Sequence, residues 1–500
     1  MFPDWVAHRA ATTPDRIALV AGGQSWTFAA LDAEATRVGR GLSAHGVGAG
    51  DRVATLLPNG ERAVVVAHAV LRLGATLVPL NTRLTSAELA VLLDDARPHL
   101  LVVDAHTAAL GDQARRGCSG VEATSVDAAA LAGAHTGGVA LRLEHQAADV
   151  LAIIYTSGTT GQPKGAMLTV GNFWWSALGS ALNLGTHADD RWLACLPLFH
   201  VGGLSIVFRA AIYGITVVVH DGFDAEEVNR AIDDDRVTIV SVVAVMLQRM
   251  LDARGDRPYP PTLRCVLLGG GPAPRALLER CASLAIPVVQ TYGLTETASQ
   301  VATLAPEDAL RHLGSAGRPL YPNEIRIAAG EGSDRAAAPG DAGEILVRGP
   351  VVMAGYAGVP NDAKPNGWLR TGDIGYLDAE GYLYVLDRRA DLIITGGENV
   401  YPAEVEAALL AHPQVAEAGV FGVADATWGQ RVVAIVRLAD GIVTADPAAG
   451  VADSLRTHCR ARLAGYKVPS EIRVVSESLP RTASGKLRRA ALRAREASKP

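Results

Sequence analysis

Residues 154–165 read Ile-Tyr-Thr-Ser-Gly-Thr-Thr-Gly-Gln-Pro-Lys-Gly, a string whose residue types suit the holding of an anion. Thr156, Ser157, Thr159 and Thr160 supply four hydroxyls, Gly158, Gly161 and Gly165 three glycines, and Lys164 an ammonium, all directly after the apolar run 150–154. Glycines let backbone N–H groups approach a ligand closely, and hydroxyls with one lysine add donors to phosphate oxygens. The string is not a Walker A loop, which ends in Gly-Lys-Ser/Thr, because Lys164 stands between Pro163 and Gly165. A surface turn rich in Gly, Ser and Thr has the same composition. Far along the chain, Lys486 closes the run Leu-Pro-Arg-Thr-Ala-Ser-Gly-Lys. Its ammonium could neutralise charge building on a phosphoryl group, or it could belong to a solvated tail with Arg481, Arg488 and Arg489.

Three further positions carry groups that could do chemistry. Glu296, in Gln-Thr-Tyr-Gly-Leu-Thr-Glu-Thr (290–297), follows a strand and stands at the start of a helix or turn, where a lone carboxylate can simply complement a helix dipole. Asp373 ends a Thr-Gly-Asp triplet that by itself is an ordinary turn. Gly396 and Gly397 would leave room for a thin ligand, or form a tight hairpin.

The elements that must position these groups alternate between strand and helix. Residues 51–57 and 75–80 are short apolar strands flanking a helix around 64–71, and further strands fall near 192–196, 216–219, 238–243, 264–268 and 287–290. That alternation predicts parallel sheets. Residues 104–148 are rich in Ala and Gly and predict loops and short surface elements. The uncharged segment 166–188 is long enough to raise a membrane span. Its Thr169, Asn172, Ser176, Ser180 and Asn183 recur every three or four positions, however, which predicts a largely buried helix of a globular protein. Residues 325–348 predict a small β-rich subdomain, and the charged run 387–391 a boundary before a smaller α/β unit.

Composition narrows the class. A 500-residue chain exceeds the size at which one core stops growing, so two domains are expected. A net charge of −6 argues against nucleic acid as a partner. Five cysteines without a Cys-x-x-Cys pair indicate thiols of a reducing compartment. The N-terminus has an early acid and no basic region, so a cytoplasmic location is expected, with no integral membrane segment. A homo-oligomer is compatible with these features.

Residues 154–165, 290–297, 368–373, 394–406 and 479–486 resemble, in order, the signatures of the adenylate-forming superfamily of acyl-CoA synthetases, luciferases and adenylation domains. The resemblance implies an α/β fold: a large domain (1–387) of two stacked α/β sheet layers with a β-rich subdomain, a hinge (388–391) and a mobile C-terminal α/β domain (392–500). It implies ATP, Mg²⁺ and CoA. Thr156, Ser157, Gly158, Thr159, Thr160 and Lys164 would escort the β- and γ-phosphates. Gly270, Gly271, Tyr292, Gly293 and Thr297 would line the nucleotide, Tyr292 near adenine, and Asp373 would take the ribose hydroxyls. Glu296 would hold Mg²⁺, and Arg388, at the start of the hinge, would be a cofactor-binding residue. Lys486 would be the catalytic cation, His200 a gate between acyl and pantetheine channels, and Gly396, Gly397 and Trp428 the CoA path. Many members carry Lys where Ala390 stands, so that lysine's contacts do not carry over.

The runs at 197–206, 267–274 and 387–394 look most like the o-succinylbenzoate:CoA ligases of menaquinone biosynthesis, with a medium-chain or aryl acyl-CoA ligase as the alternative. Arg209 interrupts the apolar run 204–213, and a buried guanidinium wants a carboxylate. That carboxylate is either the second one of the substrate or a protein acid such as Asp221 or Asp224. Ser299 and Gln300 are candidate polar groups of the acyl pocket.

Overall fold

A computed structural model describes residues 1–119, 123–133, 141–157, 163–271, 273, 275–330, 333, 335–359, 367–387, 393–439, 449–480, 489 and 491–493. The chain forms two compact units, one comprising Met1–Thr82, Leu93–Tyr155 and Gly165–Asp387, the other Arg83–Leu92, Thr156–Lys164 and Arg388–Pro500.

Among the described residues, the first unit holds two large sheets. In the nine-stranded sheet, Val288–Leu294, Cys265–Leu268, Ile239–Val242, Arg191–Ala194, Thr216–Val219 and Ile17–Ala21 run parallel in that spatial order. Side chains alternate across a strand. Trp192, Val217, Ile239 and Cys265 therefore join the main core, while Leu193, Val218, Val240 and Val266 join a second core with Val228, Leu247 and Leu278 of the covering helices. Both faces are apolar because helices cover both, as a parallel sheet requires.

The seven-stranded sheet runs Gly355–Tyr356, Pro163–Thr169, Val150–Ser157, Thr76–Pro79, Arg52–Leu56, Leu100–Val103, Thr124–Asp127. Its edge strand Thr124–Asp127 lies in the stretch expected to hold loops and short surface elements. The strand pairs parallel with Leu100–Val103, and an edge strand tolerates the small and polar residues found there. Glu324–Ile327, Gly343–Arg348, Leu369–Leu377 and Leu383–Asp387 form an antiparallel four-stranded sheet, the β-rich subdomain.

The uncharged segment 166–188 is shorter as a helix than the sequence implies. Ala166 and Met167 pair with Tyr356 and Gly355, and the helix runs Val170–Leu184. Thr169 and Asn172 form a capping box that fixes its start. Among the described residues no helix is long and apolar enough to cross a membrane.

In the second unit, Ile393–Thr395 and Glu398–Val400 form a hairpin joined to Gly429–Leu438 and Val415–Asp425, with Glu471–Val475 parallel to Gly429–Leu438. The helices Pro402–Leu410 and Ala449–Arg460 bury Leu409 and Leu455 against Val420, Val432 and Val436.

Candidate active site

The strand Val150–Ser157 ends in Thr156 and Ser157, the first hydroxyl residues of the expected phosphate loop. The Thr156 hydroxyl donates to the Lys164 carbonyl at 3.4 Å. Gly158, Thr159 and Thr160 lie outside the described residues, as do Arg388, the 388–391 segment and Lys486.

Two carboxylates of the first unit are held by tyrosines from distant strands. Asp373, 1% exposed on the strand Leu369–Leu377, accepts from the Tyr292 hydroxyl at 2.7 Å, while its own N–H donates to Thr371 Oγ1 at 3.0 Å. Glu296 sits in the 3₁₀ turn Thr295–Thr297, buried, and its Oε1 accepts from the Tyr356 hydroxyl at 2.8 Å. The Glu296 carbonyl accepts from Met353 N–H at 2.8 Å, which fixes the backbone as well as the side chain.

Some expected site residues shape the backbone here. Gly293 falls at a register shift between Val288–Leu294 and Ser299–Thr303, and a Cβ there would lie 1.5 Å from the Ser299 carbonyl oxygen. No other residue fits. The Thr297 hydroxyl both accepts from Leu294 N–H (3.0 Å) and donates to the Leu294 carbonyl (3.1 Å), so it is engaged in closing the Glu296 turn. Gly270 and Gly271 follow the strand Cys265–Leu268 at its C-terminal end, where ligands of open α/β sheets bind.

The residues expected on the acyl side stand on or beside two helices, Val170–Leu184 and Val201–Tyr213. His200 is the N-cap of Val201–Tyr213, with its ring edge-on to Phe199 at 4.6 Å. Asn59 secures the approach to that helix, donating to the carbonyls of Leu196 (3.0 Å) and His220 (3.2 Å) and accepting from Leu198 N–H (2.8 Å). Arg209, on the same helix, is 2% exposed. Its Nη2 donates to Ser176 Oγ at 2.8 Å, and its guanidinium lies over the Trp192 ring at 5.8 Å.

Among the described residues no carboxylate pairs with Arg209, and its Nε has no hydrogen-bond partner. Asp224, one of the expected protein partners, instead caps the helix Ala225–Asp234 through the N–H groups of Glu226 and Glu227. Burial pulls the guanidinium pKa down, as it must where a charge is desolvated without an opposite charge nearby. Gln300 is also 2% exposed, and neither its Oε1 nor its Nε2 is hydrogen-bonded among the described residues. Ser299 precedes it at φ +92°. Buried polar groups left unmade cost about 1–3 kcal/mol each. An arginine edge and a carboxamide in that state keep hydrogen-bonding capacity that no described residue uses.

Within the second unit, Gly396 and Gly397 form the turn of a hairpin. Gly396 and Gly397 take φ +56° and +84°, the left-handed conformation that a two-residue turn needs at both positions. A Cβ on Gly396 would meet the Trp428 ring at 2.9 Å, and Gly396 N–H donates to the Trp428 carbonyl at 2.8 Å. Trp428 is 54% exposed, so an indole face stands beside the glycine turn.

The profile of the AMP-binding enzyme family matches residues 6–357, and that of the AMP-binding enzyme C-terminal domain residues 404–486. The chain belongs to the AMP-binding enzyme family. Within it, the chain is 51% identical over 494 residues to a 2-succinylbenzoate–CoA ligase of Geobacillus kaustophilus, covering 98% of this chain and 97% of that one. Its structure is similar to that of an o-succinylbenzoate CoA synthetase mutant from Bacillus subtilis bound with a product analogue, at TM-score 0.91 and 44% identity over 99% of this chain and 98% of that one. The Bacillus subtilis synthetase in complex with ATP and magnesium ion is 43% identical, with a TM-score of 0.74 over 98% of this chain and 99% of that one. This AMP-binding enzyme thus has the adenylate-forming fold.

Sequence reasoning missed Tyr356, Ser176 and Trp192 as partners of Glu296 and Arg209. The only signal for Ser176 was its place in the polar stripe of the Val170–Leu184 helix; Tyr356 had none.

Proposed function

We propose that this AMP-binding enzyme is an acid–thiol ligase that converts 2-succinylbenzoate, ATP and CoA into 2-succinylbenzoyl-CoA, AMP and pyrophosphate, a reaction of menaquinone biosynthesis. The observation that carries the choice of acid is Arg209, a buried guanidinium that no described carboxylate neutralises. 2-Succinylbenzoate brings two carboxylates, one to be activated and one to be held. A fatty acid brings one. We assign the ring carboxylate to Arg209 and the keto or carboxylate oxygens to the Gln300 amide, with Ser299 beside it.

In the first half-reaction the succinyl carboxylate oxygen attacks the α-phosphorus, an O–P bond forms, and the bond to the bridging oxygen breaks to release pyrophosphate. Lys486 neutralises the charge at phosphorus. Thr156, Ser157, Thr159, Thr160 and Lys164 hold the triphosphate, and Asp373, fixed by Tyr292, accepts from the ribose hydroxyls. A single buried carboxylate, Glu296, is the donor chemistry Mg²⁺ takes when substrate phosphates and waters complete its shell. The ion would neutralise the departing pyrophosphate. In the second half-reaction CoA sulfur attacks the acyl carbon, a C–S bond forms and AMP departs with its oxygen. His200 separates acyl and pantetheine channels, and Gly396, Gly397 and Trp428 pass the pantetheine arm.

We assign residues 1–387 to ATP and acyl binding, 388–391 to a hinge and 392–500 to a mobile domain that alternately supplies Lys486 and the glycine hairpin. Five free cysteines fit a cytoplasmic setting. ATP–pyrophosphate exchange with a panel of acids tests the reading. Exchange with 2-succinylbenzoate well above that with hexanoate, octanoate and benzoate is expected; preference for any of those three overturns it.

A further inference from the structure

The hydroxyl of Ser176 links two parts of the site that bind different substrates. Its oxygen accepts from Arg209 Nη2 at 2.8 Å, and its own proton goes to the Ala298 carbonyl at 2.7 Å. Ser176 is 2% exposed and Ala298 fully buried, so bulk water does not compete for either bond. Ala298 is the residue that ends the Thr295–Thr297 turn, its N–H bonded to the Thr295 carbonyl at 3.2 Å, and that turn carries Glu296. Ala298 and Ser299 have φ +49° and +92°, conformations that non-glycine residues hold only when the surroundings over-determine them. The Ser176 bond is one such constraint. Four residues before it on the same helix, Asn172 donates to the carbonyls of Pro350 (2.7 Å) and Val352 (3.0 Å), next to Met353, whose N–H holds the Glu296 carbonyl.

We propose that Ser176 is a positioning residue that couples the second carboxylate of the acid, at Arg209, to the turn presenting Glu296, so that diacid and magnesium nucleotide each tighten the other's binding. This rests on the function proposed above. A carboxylate on the guanidinium fixes its position and with it the Nη2–Ser176 and Ser176–Ala298 bonds, so the turn they hold is already ordered when the nucleotide binds and less ordering remains to oppose that binding. Linkage makes the effect reciprocal. An acid with no second carboxylate engages the pocket without pulling on this chain of bonds.

The test is calorimetric and needs no turnover. The full chain is titrated with Mg²⁺ and α,β-methylene-ATP in the presence of saturating 2-succinylbenzoate or saturating 4-oxo-4-phenylbutanoate, the same keto acid without the ring carboxylate. In the wild type the diacid should tighten nucleotide binding about fivefold more than the monoacid. Ser176→Ala should bring the two conditions to within about twofold of each other, and Ser176→Thr, which keeps the hydroxyl, should restore the difference. A wild type that binds the diacid more tightly than the monoacid yet shows one nucleotide affinity overturns the coupling and leaves the assigned function standing. So does a Ser176→Ala protein that keeps the difference. Failure of the wild type to bind the diacid overturns both. Should Ser176→Ala not fold, the wild-type comparison with the two acids still decides.

Discussion

Arg209→Met is the sharpest perturbation of the proposed acyl site, because it should move activity and stability in opposite directions. Methionine is unbranched and of similar reach, so it fills the volume without a charge. In the complex, the ring carboxylate of 2-succinylbenzoate loses a buried partner, a loss of about 3–5 kcal/mol. That corresponds to about 10²–10⁴ in kcat/KM. The monoacid 4-oxo-4-phenylbutanoate strands no carboxylate, so its loss should stay near tenfold or below, about the 1.4 kcal/mol of one repacked contact. In the ligand-free chain the balance reverses. Arg209 gains the Ser176 bond and the Trp192 face, together worth about 2–4 kcal/mol. Against them stands the desolvation of an unneutralised guanidinium, several kcal/mol. The methionine protein should therefore be as stable as the wild type or more so, with a melting temperature raised by about 0–3 °C. Pyrophosphate exchange with the two acids and thermal melting without ligand give both readings. Equal losses for the two acids would refute the carboxylate role, and a melting temperature several degrees lower would refute the view that Arg209 is kept at a cost to the empty protein.

Lys486→Ala should abolish adenylation but leave thioester formation from a supplied acyl adenylate largely intact; loss of both half-reactions would contradict the division of labour. Asp373→Asn keeps an acceptor for the Tyr292 hydroxyl but removes the charge, and the ATP KM should rise about 10–100-fold, the value of one charge-assisted hydrogen bond or a little more, while the CoA KM stays unchanged. Gly293→Ala should give an insoluble or grossly destabilised chain, since its Cβ would overlap the Ser299 carbonyl oxygen at 1.5 Å; a soluble variant with wild-type melting would show that the register shift can relax.

The string at 290–297 was legible because it is a local feature, a strand end running into a turn whose composition reports its conformation, whereas the Thr-Gly-Asp triplet that reads as a turn lies inside the strand Leu369–Leu377. The mutual arrangement of the strings was not legible. Tyr292 meets Asp373 across 81 positions and Tyr356 meets Glu296 across 60, and nothing near Tyr356 in the sequence distinguishes it from any tyrosine in a short strand. The alternation of strands and helices gave the parallel sheets, yet Thr124–Asp127 escaped notice because an edge strand needs few large apolar side chains. The start of the Val170–Leu184 helix was misjudged although its Thr169–Asn172 capping box was in plain view: residues 166–169 are as apolar as the helix, and only pairing with Tyr356 and Gly355 makes Ala166 and Met167 a strand. For Arg209, sequence offered two kinds of carboxylate, and among the described residues no protein acid pairs with the guanidinium, which lies beside Ser176 and Trp192.

That helix also inverts an ordinary rule. The polar stripe of a surface helix faces water, but here Asn172, Ser176 and Ser180 are buried, while Leu182 is 65% exposed. The reason lies in what the helix packs against. Segments around Ala298, Leu304, Pro350 and Val352 are irregular, and buried carbonyls outside a ladder must find other donors. Ser176, Asn183 and Asn172 supply them, donating to Ala298 (2.7 Å), Leu304 (2.9 Å), Pro350 (2.7 Å) and Val352 (3.0 Å). An apolar helix in the same place would bury more hydrocarbon and leave four carbonyls unsatisfied, at about 1–3 kcal/mol each. The segment at Ala298 joins the turn carrying Glu296 to the strand that begins with Ser299 and Gln300, three residues of the proposed site. Amide and hydroxyl side chains at those helix positions thus follow from the need to hold a bent backbone dry and fixed beneath the proposed site.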